Sequence, residues 1–512
     1  EVGWQQIGND IVDEINSRNS QYAEHISTSF SSDGQTVAVG AKWNDGAASN
    51  AGHVRIFKLI DSQWEQVGDD IDGNASGELF GTSVSLSSDG STVAVGAPAR
   101  NNSNTIAGHV RIYQLNNSGA WVQVGDDIDG ETAGDQFGES VSISSDGNTV
   151  AIGANRHGVG ASEDSGHVRI YQLNNEGVWE KVGGDIDGER SGDQSGGSVS
   201  ISSDGKTVAI GARYNDGKDD NQNKIGHVRI YQLDDNDQWV QLDDDIDLDS
   251  GGMWGYSVSL SSDGKTVAIG SNTKHVRIYK YVGNQWTEFG SLQTNIPAFG
   301  RSLSLSSDGR TLAVGASYDS NHTGKVKIYQ LNSEDQWVEK GDDINGEAEK
   351  DKFGYSVSLS SNGRRVAIGS ANDDNGTKDS GHARIYEFTD TYIGIDSSVY
   401  DAASGQLTIT GSNFVKKYGS ANDIDVSQLS ITGEGGSIYT LTSGDVEVSS
   451  STQFSVTLNA ADQLNVGGLL NKNGTSSDGG ATYNLAAADN WLTGAAASVD
   501  ISDASGNGIT VS

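Results

Sequence analysis

Residues 83–97 read SVSLSSDGSTVAVGA, with two apolar alternations on either side of an Asp-Gly pair. Alternating segments joined by Asp-Gly are a strong local signal for a β-hairpin, because this pair tolerates the positive φ angles of a tight turn. The turn recurs in seven copies, at Asp33, Asp89, Asp146, Asp204, Asp263, Asp308 and Asn362. The sequence therefore predicts seven related hairpins.

Two further strands follow each hairpin. The second unit continues with HVRIYQL at 109–115 and then with a short segment around Trp121. Four strands at a mean spacing of about 55 residues are typical of a β-propeller blade. A β-solenoid is the alternative for such a repeat.

The tryptophan strands favour a closed ring over a solenoid. Six of them follow a third strand, whereas the seventh, around Trp4, lies at the start of the chain, and the last unit lacks one. We expect residues 1–8 to complete the last blade, which would remove the exposed sheet edges of an open array. The prediction for residues 1–390 is an all-β, seven-bladed β-propeller with N-terminal strand closure.

The second unit also contains Phe80-Gly81 and Gly96-Ala97-Pro98, which resemble the FG-GAP repeats of integrin α-subunit heads and many bacterial surface proteins. The resemblance covers residues 1–390 and implies a propeller. Members of that family commonly bind calcium in Asp-x-Asp-x-Asp-Gly loops between strands one and two. Here that connection is a tight Ser-Ser-Asp-Gly turn, so the family's calcium ligands do not carry over.

Residues 396–512 form a second predicted domain, with three Lys and no Arg. Short strand-like segments such as LTITGSNF at 407–414 and FSVTL at 454–458 predict a small β-sandwich. The first segment resembles Ig-like IPT/TIG domains, and the module is similar to tandem repeats of large secreted bacterial adhesin-like proteins. We therefore expect residues 396–512 to form an Ig-like β-sandwich module.

Composition limits the partners and the compartment. The formal charge of -37 opposes binding to nucleic acid, and the absence of cysteine excludes disulfides and thiol chemistry. No apolar run has the roughly 20 residues needed to span a bilayer, so no membrane insertion is expected. The Gly-, Ser-, Asn- and Asp-rich, cysteine-free composition favours a secreted or cell-surface protein.

The loops that join one unit to the next repeat the pattern Asp-Asp-Ile-Asp-Gly. Clustered carboxylates beside a glycine suit Ca²⁺, which takes 6–8 oxygen ligands. The ligands that we predict are Asp72, Asp129, Asp187 and Asp247. The alternative is that these aspartates cap turns and keep the rim soluble.

Histidine occupies one position of the repeat in six units, two residues before an arginine: His53, His109, His167, His227, His275 and His382. A whole sheet separates each histidine from the next, so they cannot share one metal ion. We expect a structural role for them.

The loops between strands two and three differ most between units, which is typical of a binding surface on a uniform scaffold. The predicted ligand-face residues are Trp43, Asp45, Asp216, Asp220, Asp373 and Asp374. No catalytic motif is recognisable, since Ser83, Ser140, Ser198 and Ser257 lack the second glycine of a nucleophile elbow.

The sequence therefore favours a non-enzymatic extracellular recognition or adhesion module, with the second domain as a stalk. Its predicted partner is an extracellular protein or glycan, or copies of itself. The alternatives are a structural subunit of an extracellular filament or sheath and a polysaccharide-active enzyme.

Overall fold

The structure is a computed structural model. It describes residues 3–12, 26–45, 47–99, 107–156, 164–216, 224–248, 252–332, 334–371, 381–389, 394–412, 414, 423–450, 452–476, 482–488, 491–492 and 507–511. The chain divides into two compact units, residues 3–389 and residues 390–512, with residues 1–2 grouped with the latter. The predicted domains, 1–390 and 396–512, are close to this division, and the first strand of the second unit begins at Gly394.

The first unit consists of small antiparallel sheets, numbered here in chain order. The chain enters through β1 (Gly3–Gln6) and β2 (Ile11–Val12), which belong to the last of these sheets. The first sheet contains β3 (Ile26–Phe30), β4 (Thr36–Ala41), β5 (His53–Ile60), β6 (Gln63–Gln66) and β7 (Ile71–Asp72). The second contains β8 (Ser83–Leu86), β9 (Thr92–Ala97), β10 (His109–Leu115), β11 (Trp121–Gln123) and β12 (Ile128–Asp129).

The third and fourth sheets repeat this order. The third contains β13 (Phe137–Ile143), β14 (Thr149–Ala154), β15 (His167–Leu173), β16 (Trp179–Lys181) and β17 (Ile186–Asp187). The fourth contains β18 (Ser195–Ile201), β19 (Thr207–Ala212), β20 (His227–Leu233), β21 (Trp239–Gln241) and β22 (Ile246–Asp247).

The remaining three sheets complete the unit. The fifth contains β23 (Ser257–Leu260), β24 (Thr266–Gly270), β25 (His275–Val282) and β26 (Gln285–Gln293). The sixth contains β27 (Ser302–Leu305), β28 (Thr311–Ala316), β29 (Lys325–Leu331), β30 (Trp337–Glu339) and β31 (Ile344–Asn345). The seventh contains β32 (Ser356–Leu359), β33 (Arg365–Ser370) and β34 (His382–Thr389), together with β1 and β2.

Each Asp-Gly or Asn-Gly pair joins the first two strands of its sheet, as the sequence predicts. In the second sheet the Asp89 carboxylate accepts hydrogen bonds from the Ser87 hydroxyl and the Ser91 backbone N–H, at 2.7 and 2.9 Å. Gly90 has a φ angle of +70°, and a Cβ there would lie 2.9 Å from the Thr36 Cβ of the first sheet. The glycine therefore serves both the turn and the close approach of neighbouring sheets.

Backbone hydrogen bonds join the seven inner hairpins in a closed ring. In each sheet, the second serine after the first strand donates its N–H to the equivalent carbonyl of another sheet, at 2.8 to 3.1 Å: Ser32 to Ser88, Ser88 to Ser145, Ser145 to Ser203, Ser203 to Ser262, Ser262 to Ser307, Ser307 to Ser361 and Ser361 to Ser32. A hydrophobic core fills each interface between neighbouring sheets, as where Val54 and Ile56 pack with Val93 and Val95. These observations confirm the predicted all-β, propeller-like fold.

The N-terminal strand closes the ring from outside. β1 pairs antiparallel with β34, with Trp4 opposite Phe388, so strands from the two ends of the unit share one sheet. The Trp4 indole N–H donates to the Lys340 carbonyl of the sixth sheet at 2.7 Å. The surplus tryptophan strand of the sequence therefore lies where the last sheet lacks one.

The second unit has two sheets around one hydrophobic core. Its strands are β35 (Gly394–Asp401), β36 (Gln406–Ser412), β37 (Leu429–Thr432), β38 (Ile438–Thr440), β39 (Val448–Ser450), β40 (Gln453–Thr457), β41 (Asn484–Ala487) and β42 (Ile509–Val511). Two 3-10 turns (Val426–Gln428 and Glu434–Gly436) and the helix α1 (Ala460–Leu469) complete it. In the described part of the chain no helix is long and apolar enough to cross a membrane.

Candidate functional site

Two cavities lie at opposite ends of the inner strands. One, the serine mouth, has a volume of about 150 Å³ and is lined where these strands end, by residues such as Ser32, Ser88 and Ser145. The other, the charged mouth, has a volume of about 220 Å³ and is lined where the strands begin. Both cavities are lined by residues from several sheets.

In four sheets a Phe-Gly pair precedes a residue that lines the charged mouth, and Ser-Gly and Trp-Gly take its place in the fourth and fifth sheets. In the sixth sheet Phe299 is fully buried, and Gly300 has a φ angle of +101°. A Cβ on Gly300 would lie 3.0 Å from the His275 carbonyl oxygen of the fifth sheet. The pair thus anchors and turns the chain, and the next residue, Arg301, lines the cavity.

The residue that follows this turn is the position where the otherwise uniform sheets differ. In the first to seventh sheets it is Ile26, Thr82, Glu139, Gly197, Tyr256, Arg301 and Tyr355. Lys42, Arg213 and Ser317, which follow second strands, also line the cavity, together with Ser27 and Ser356. The charged mouth therefore combines three cationic side chains with one carboxylate in a protein of net charge -37.

Two arginines flank one tyrosine in the charged mouth. The guanidinium groups of Arg213 and Arg301 lie 5.2 and 4.8 Å from the centre of the Tyr256 ring. Arg301 also donates a short hydrogen bond to the Tyr256 hydroxyl and lies 4.7 Å from the Tyr318 ring. Within the described residues, no carboxylate oxygen lies within 4.0 Å of either guanidinium, so both charges are held by π-faces and neutral acceptors.

The other titratable groups of the charged mouth act on each other. Burial raises the pKa of Tyr355, the nearby Tyr256 and Glu139 add to this effect, and Arg301 opposes it. The pKa of Arg301 is raised by Tyr256 and Tyr318 despite the opposing effect of burial. Tyr355 is therefore a neutral hydrogen-bond donor at pH 7, beside a permanent cation.

The predicted calcium ligands lie on the outer rim, one per sheet. Asp72, Asp129, Asp187 and Asp247 each pair in the strand ladder with the repeat histidine of their own sheet. The isoleucine before each aspartate is buried, as expected of an anchor. Within each sheet, the structure thus places the predicted aspartate opposite the repeat histidine, a contact that was not predicted from the sequence. The four aspartates lie in four different sheets and do not form one cluster.

Three groups on the rim of the described sheets have three potential metal ligands within 4.8 Å of one another. They are His53 with Asp70 and Asp72, His167 with Asp185 and Asp187, and Glu189 with His227 and Asp245. Each contains an imidazole nitrogen, whereas Ca²⁺ prefers oxygen alone. Calcium binding at Asp72, Asp129, Asp187 and Asp247 stays a prediction.

The rim arginines join neighbouring sheets. Arg169 contacts Asp185 of its own sheet at 2.7 Å and Glu131 from the preceding loop. Arg384 is within 2.9 Å of both Asp10 and Glu347 in the same way. These ion pairs give the rim carboxylates a structural role.

The predicted ligand-face residues are only partly within the described chain. Asp45 accepts a hydrogen bond from the Asn50 N–H at 2.7 Å, and Asp216 accepts one from the Lys224 N–H at 3.1 Å. The Trp43 ring lies 5.8 Å from the Lys42 ammonium. Asp220, Asp373 and Asp374 lie outside the described residues.

Comparison with known families identifies one repeat. The FG-GAP repeat model matches residues 345–386, so the chain contains an FG-GAP-like repeat there. No curated relative matches the sequence.

Several solved structures are similar in fold. A protein of unknown function from Desulfotomaculum acetoxidans is 14% identical with a TM-score of 0.43, and the match covers 65% of this chain and 91% of that one. A periplasmic gluconolactonase from Pseudomonas aeruginosa is 16% identical with a TM-score of 0.46, covering 63% and 87%. A putative 6-phosphogluconolactonase from Bacteroides uniformis is 14% identical with a TM-score of 0.46, covering 63% and 86%.

The names of two of these structures contradict the function predicted from the sequence. Solved structures of similar fold include proteins named as lactonases, so the prediction of a non-enzymatic recognition or adhesion module is wrong. The likeness itself concerns the fold and assigns no substrate to this chain. Local motifs do not reveal the charged mouth, because it collects single side chains from sheets far apart in the sequence.

Proposed function

We propose that the protein is an enzyme that binds a small, hydroxyl-bearing anion at the charged mouth and hydrolyses an ester of it. The observation that carries this proposal is the pair Arg213 and Arg301, which face one cavity without a carboxylate within 4.0 Å in the described part of the chain. Guanidinium groups match carboxylate and phosphate oxygens with two parallel hydrogen bonds.

The rest of the molecule strengthens the selectivity of this site. A chain of net charge -37 repels anions over most of its surface, so a local excess of positive charge stands out. Tyr256 and Tyr355 add hydroxyl groups that can bind the hydroxyls of a substrate. The cavity volume of about 220 Å³ limits the substrate to a small molecule.

The same residues supply the elements of ester hydrolysis. The Glu139 carboxylate accepts a proton from water while the water oxygen forms a bond to the ester carbonyl carbon. Arg301 stabilises the negative charge that develops on the carbonyl oxygen. When the carbon–oxygen bond to the leaving group breaks, the leaving alkoxide takes the proton from Glu139, which restores the carboxylate.

The binding step is tested by calorimetry with gluconate, a phosphorylated sugar acid and neutral glucose. We expect the anions to bind and glucose to bind at least tenfold more weakly. Arg301→Gln should weaken anion binding about 10- to 100-fold, because each charge-assisted hydrogen bond contributes about 1.5–3 kcal/mol. Arg277→Gln is the matched control, since Arg277 pairs with Glu288 at 2.6 Å and does not line the mouth.

The reaction is tested by following acid release from hydroxy-acid lactones, which are internal esters small enough for the cavity. Glu139→Gln should lower kcat about 10²- to 10⁴-fold while anion binding persists. Equal affinity for glucose and the anions, or unchanged anion binding by Arg301→Gln, would exclude the site. Turnover that Glu139→Gln leaves unchanged would exclude Glu139 as the base.

We also propose the finer architecture that the sequence predicted. The seven sheets and their ring of serine hydrogen bonds support a seven-bladed β-propeller closed by β1. The two sheets around one core support an Ig-like sandwich for the second unit. A secreted or cell-surface location remains our expectation from composition.

A further inference from the structure

We propose that a rim cleft of the fourth sheet binds a divalent transition-metal ion through Glu189, His227 and Asp245. The site is independent of the charged mouth and of the reaction proposed for it. These side chains line a cleft of about 450 Å³, and the other residues of its lining are Arg190, Asn215, Gln241, Asp244 and Asp247. Their potential ligand atoms lie within 4.8 Å of one another.

The distances suit a bridging ion better than direct hydrogen bonds. The His227 Nδ1 lies 3.7 Å from an Asp245 oxygen and 3.9 Å from an Asp247 oxygen. Both separations are too long for an N–H···O hydrogen bond. Two ligands that each lie about 2.1 Å from one ion are at most about 4.2 Å apart, so both pairs can share a metal. Glu189 is exposed and can adjust to complete the set.

The histidine supplies an observation that does not depend on the acidic cluster. The residue His227 is 1% exposed, and its Nε2 has no hydrogen-bond partner. A buried polar ring without hydrogen bonds is costly, and coordination through Nδ1 would satisfy one of its two nitrogens.

In the second, third and sixth sheets the equivalent aspartate contacts a covalently attached cation. In the sixth sheet Lys325 replaces the histidine, and its ammonium lies 3.2 Å from Asp343, the equivalent of Asp245. In the second sheet Arg111 lies 3.0 Å from the equivalent Asp127.

The fourth sheet departs from this pattern, as does the first, where Arg55 donates to the Val12 carbonyl and Asp70 accepts from the Gln66 amide. Arg229 donates to the Asp187 carbonyl at 2.7 Å, and Asp245 accepts from the neutral Gln241 amide, also at 2.7 Å. No Lys or Arg nitrogen lies within 4.0 Å of Asp245 among the described side chains. Arg229 lies 3.9 Å from Glu189 and Arg190 lines the cleft, so the place open to an external cation is at Asp245, which the second, third and sixth sheets fill from within.

The ligand chemistry selects the class of metal. An imidazole with carboxylates suits Zn²⁺, Co²⁺ or Ni²⁺, whereas Ca²⁺ prefers oxygen ligands only. The proposal therefore differs from the predicted calcium site at Asp247 in its metal and in its principal ligand.

Cobalt titration of the full chain, freed of metal with EDTA, tests the site. We expect Co²⁺ to give visible absorption bands and Zn²⁺ to abolish them. His227→Gln should lose one bound equivalent of Co²⁺ relative to the wild type. His275→Gln is the matched control and should lose none, because His275 pairs in the ladder with Gln293 instead of an aspartate.

Asp245→Asn provides a second variant at a partly exposed position and should also lose one equivalent. If circular dichroism shows that His227→Gln is unfolded, the Co²⁺ stoichiometry of Asp245→Asn tests the site in its place. The proposal is overturned if the wild type binds neither Co²⁺ nor Zn²⁺ at millimolar concentration. It is also overturned if the folded variants retain the wild-type number of Co²⁺ ions, or if Ca²⁺ displaces Co²⁺ as well as Zn²⁺ does.

Discussion

Asp185 shows how single residues of the rim connect charge with stability. Its carboxylate lies 2.7 Å from both the Arg169 guanidinium and the Lys181 ammonium. Burial opposes ionisation of Asp185, but these two cations outweigh burial and hold its pKa at about 2. Because Arg169 is almost fully buried, its charge needs this partner in the folded state.

Asp185→Asn should lower the free energy of unfolding at pH 7 by about 2 kcal/mol, since each pKa unit corresponds to about 1.4 kcal/mol. The pKa of Asp185 is depressed on folding, so its stabilising effect is present above about pH 4 and is lost as the pH falls toward 2. Urea unfolding from pH 7 to pH 2 should show the wild type and variant converging in acid. The exposed Asp235→Asn should match the wild type throughout, and a constant difference between wild type and Asp185→Asn would contradict the role of ionisation.

The sequence predicts some residues of the candidate site and not others. The repeat places the rim histidines and aspartates, but strand pairing across about 20 residues decides that they meet. The charged mouth was missed, although a signal was present: the residue after Phe-Gly varies while its neighbours repeat. Comparing the units position by position would have identified Glu139 and Arg301. Arg213 and Arg301 both contact Tyr256 because the closed ring brings their sheets together, and this contact could not be predicted from the sequence.

Among the elements, helix α1 depends on one buried carboxylate. Asp462 is fully buried and accepts hydrogen bonds from Tyr439, Thr442 and Ser443 at 2.5 to 3.0 Å. Burial raises the pKa of Asp462, but these hydrogen bonds outweigh burial and lower it overall. The Asn459 side chain caps the helix by accepting from the Asp462 N–H at 2.9 Å. One carboxylate therefore fixes the helix against the loop that precedes β39.

Asp462→Asn should destabilise the second unit by about 3 kcal/mol, because an amide turns N–H donors toward groups that already donate. Asp425→Asn is the control: Asp425 caps a 3-10 turn, and Asn is an equally good N-cap, so little change is expected. Thermal unfolding of both variants checks this. Equal melting temperatures for Asp462→Asn and the wild type would show that the network is dispensable.

The elements that the sequence predicts are those with local chemistry. Each hairpin follows from an Asp-Gly or Asn-Gly turn between alternating strands. The two-residue strands, such as Ile71–Asp72, are too short for any periodicity and exist because they pair with a third strand. Helix α1 was missed because Gly467 and Gly468 weaken its propensity, although Asn459 is a readable cap.

At the scale of the whole first unit, tryptophans on the outer strands connect neighbouring sheets. In six of the seven sheets the indole N–H donates to a carbonyl of the preceding sheet, or of the segment after β1 in the case of the first sheet, at 2.7 to 3.1 Å: Trp4 to Lys340, Trp64 to Ile7, Trp121 to Val67, Trp179 to Val124, Trp239 to Val182 and Trp286 to Leu242. The exception is Trp337 of the sixth sheet, whose indole N–H has no hydrogen-bond partner. The N-terminal segment takes part twice, as donor through Trp4 and as acceptor through Ile7. It therefore connects the seventh sheet to both of its neighbours.

Deleting residues 1–8 should consequently destabilise the first unit by several kcal/mol. The deletion removes the ladder between β1 and β34, the contact of Trp4 with Phe388 at 5.2 Å and both indole hydrogen bonds. It also leaves β34 as an exposed edge, which promotes aggregation. Differential scanning calorimetry should show a melting temperature lower by several degrees, with lower solubility.

Two point variants separate ring closure from the loss of one contact. Trp4→Phe keeps the strand and most of the packing, so it should cost only about 1 kcal/mol for the missing hydrogen bond. Gln5→Ala changes an exposed side chain of β1 and should have no effect. If the deletion costs no more than Trp4→Phe, the ring does not depend on β1, and the pairing of the chain's first strand with β34 contributes nothing to its stability.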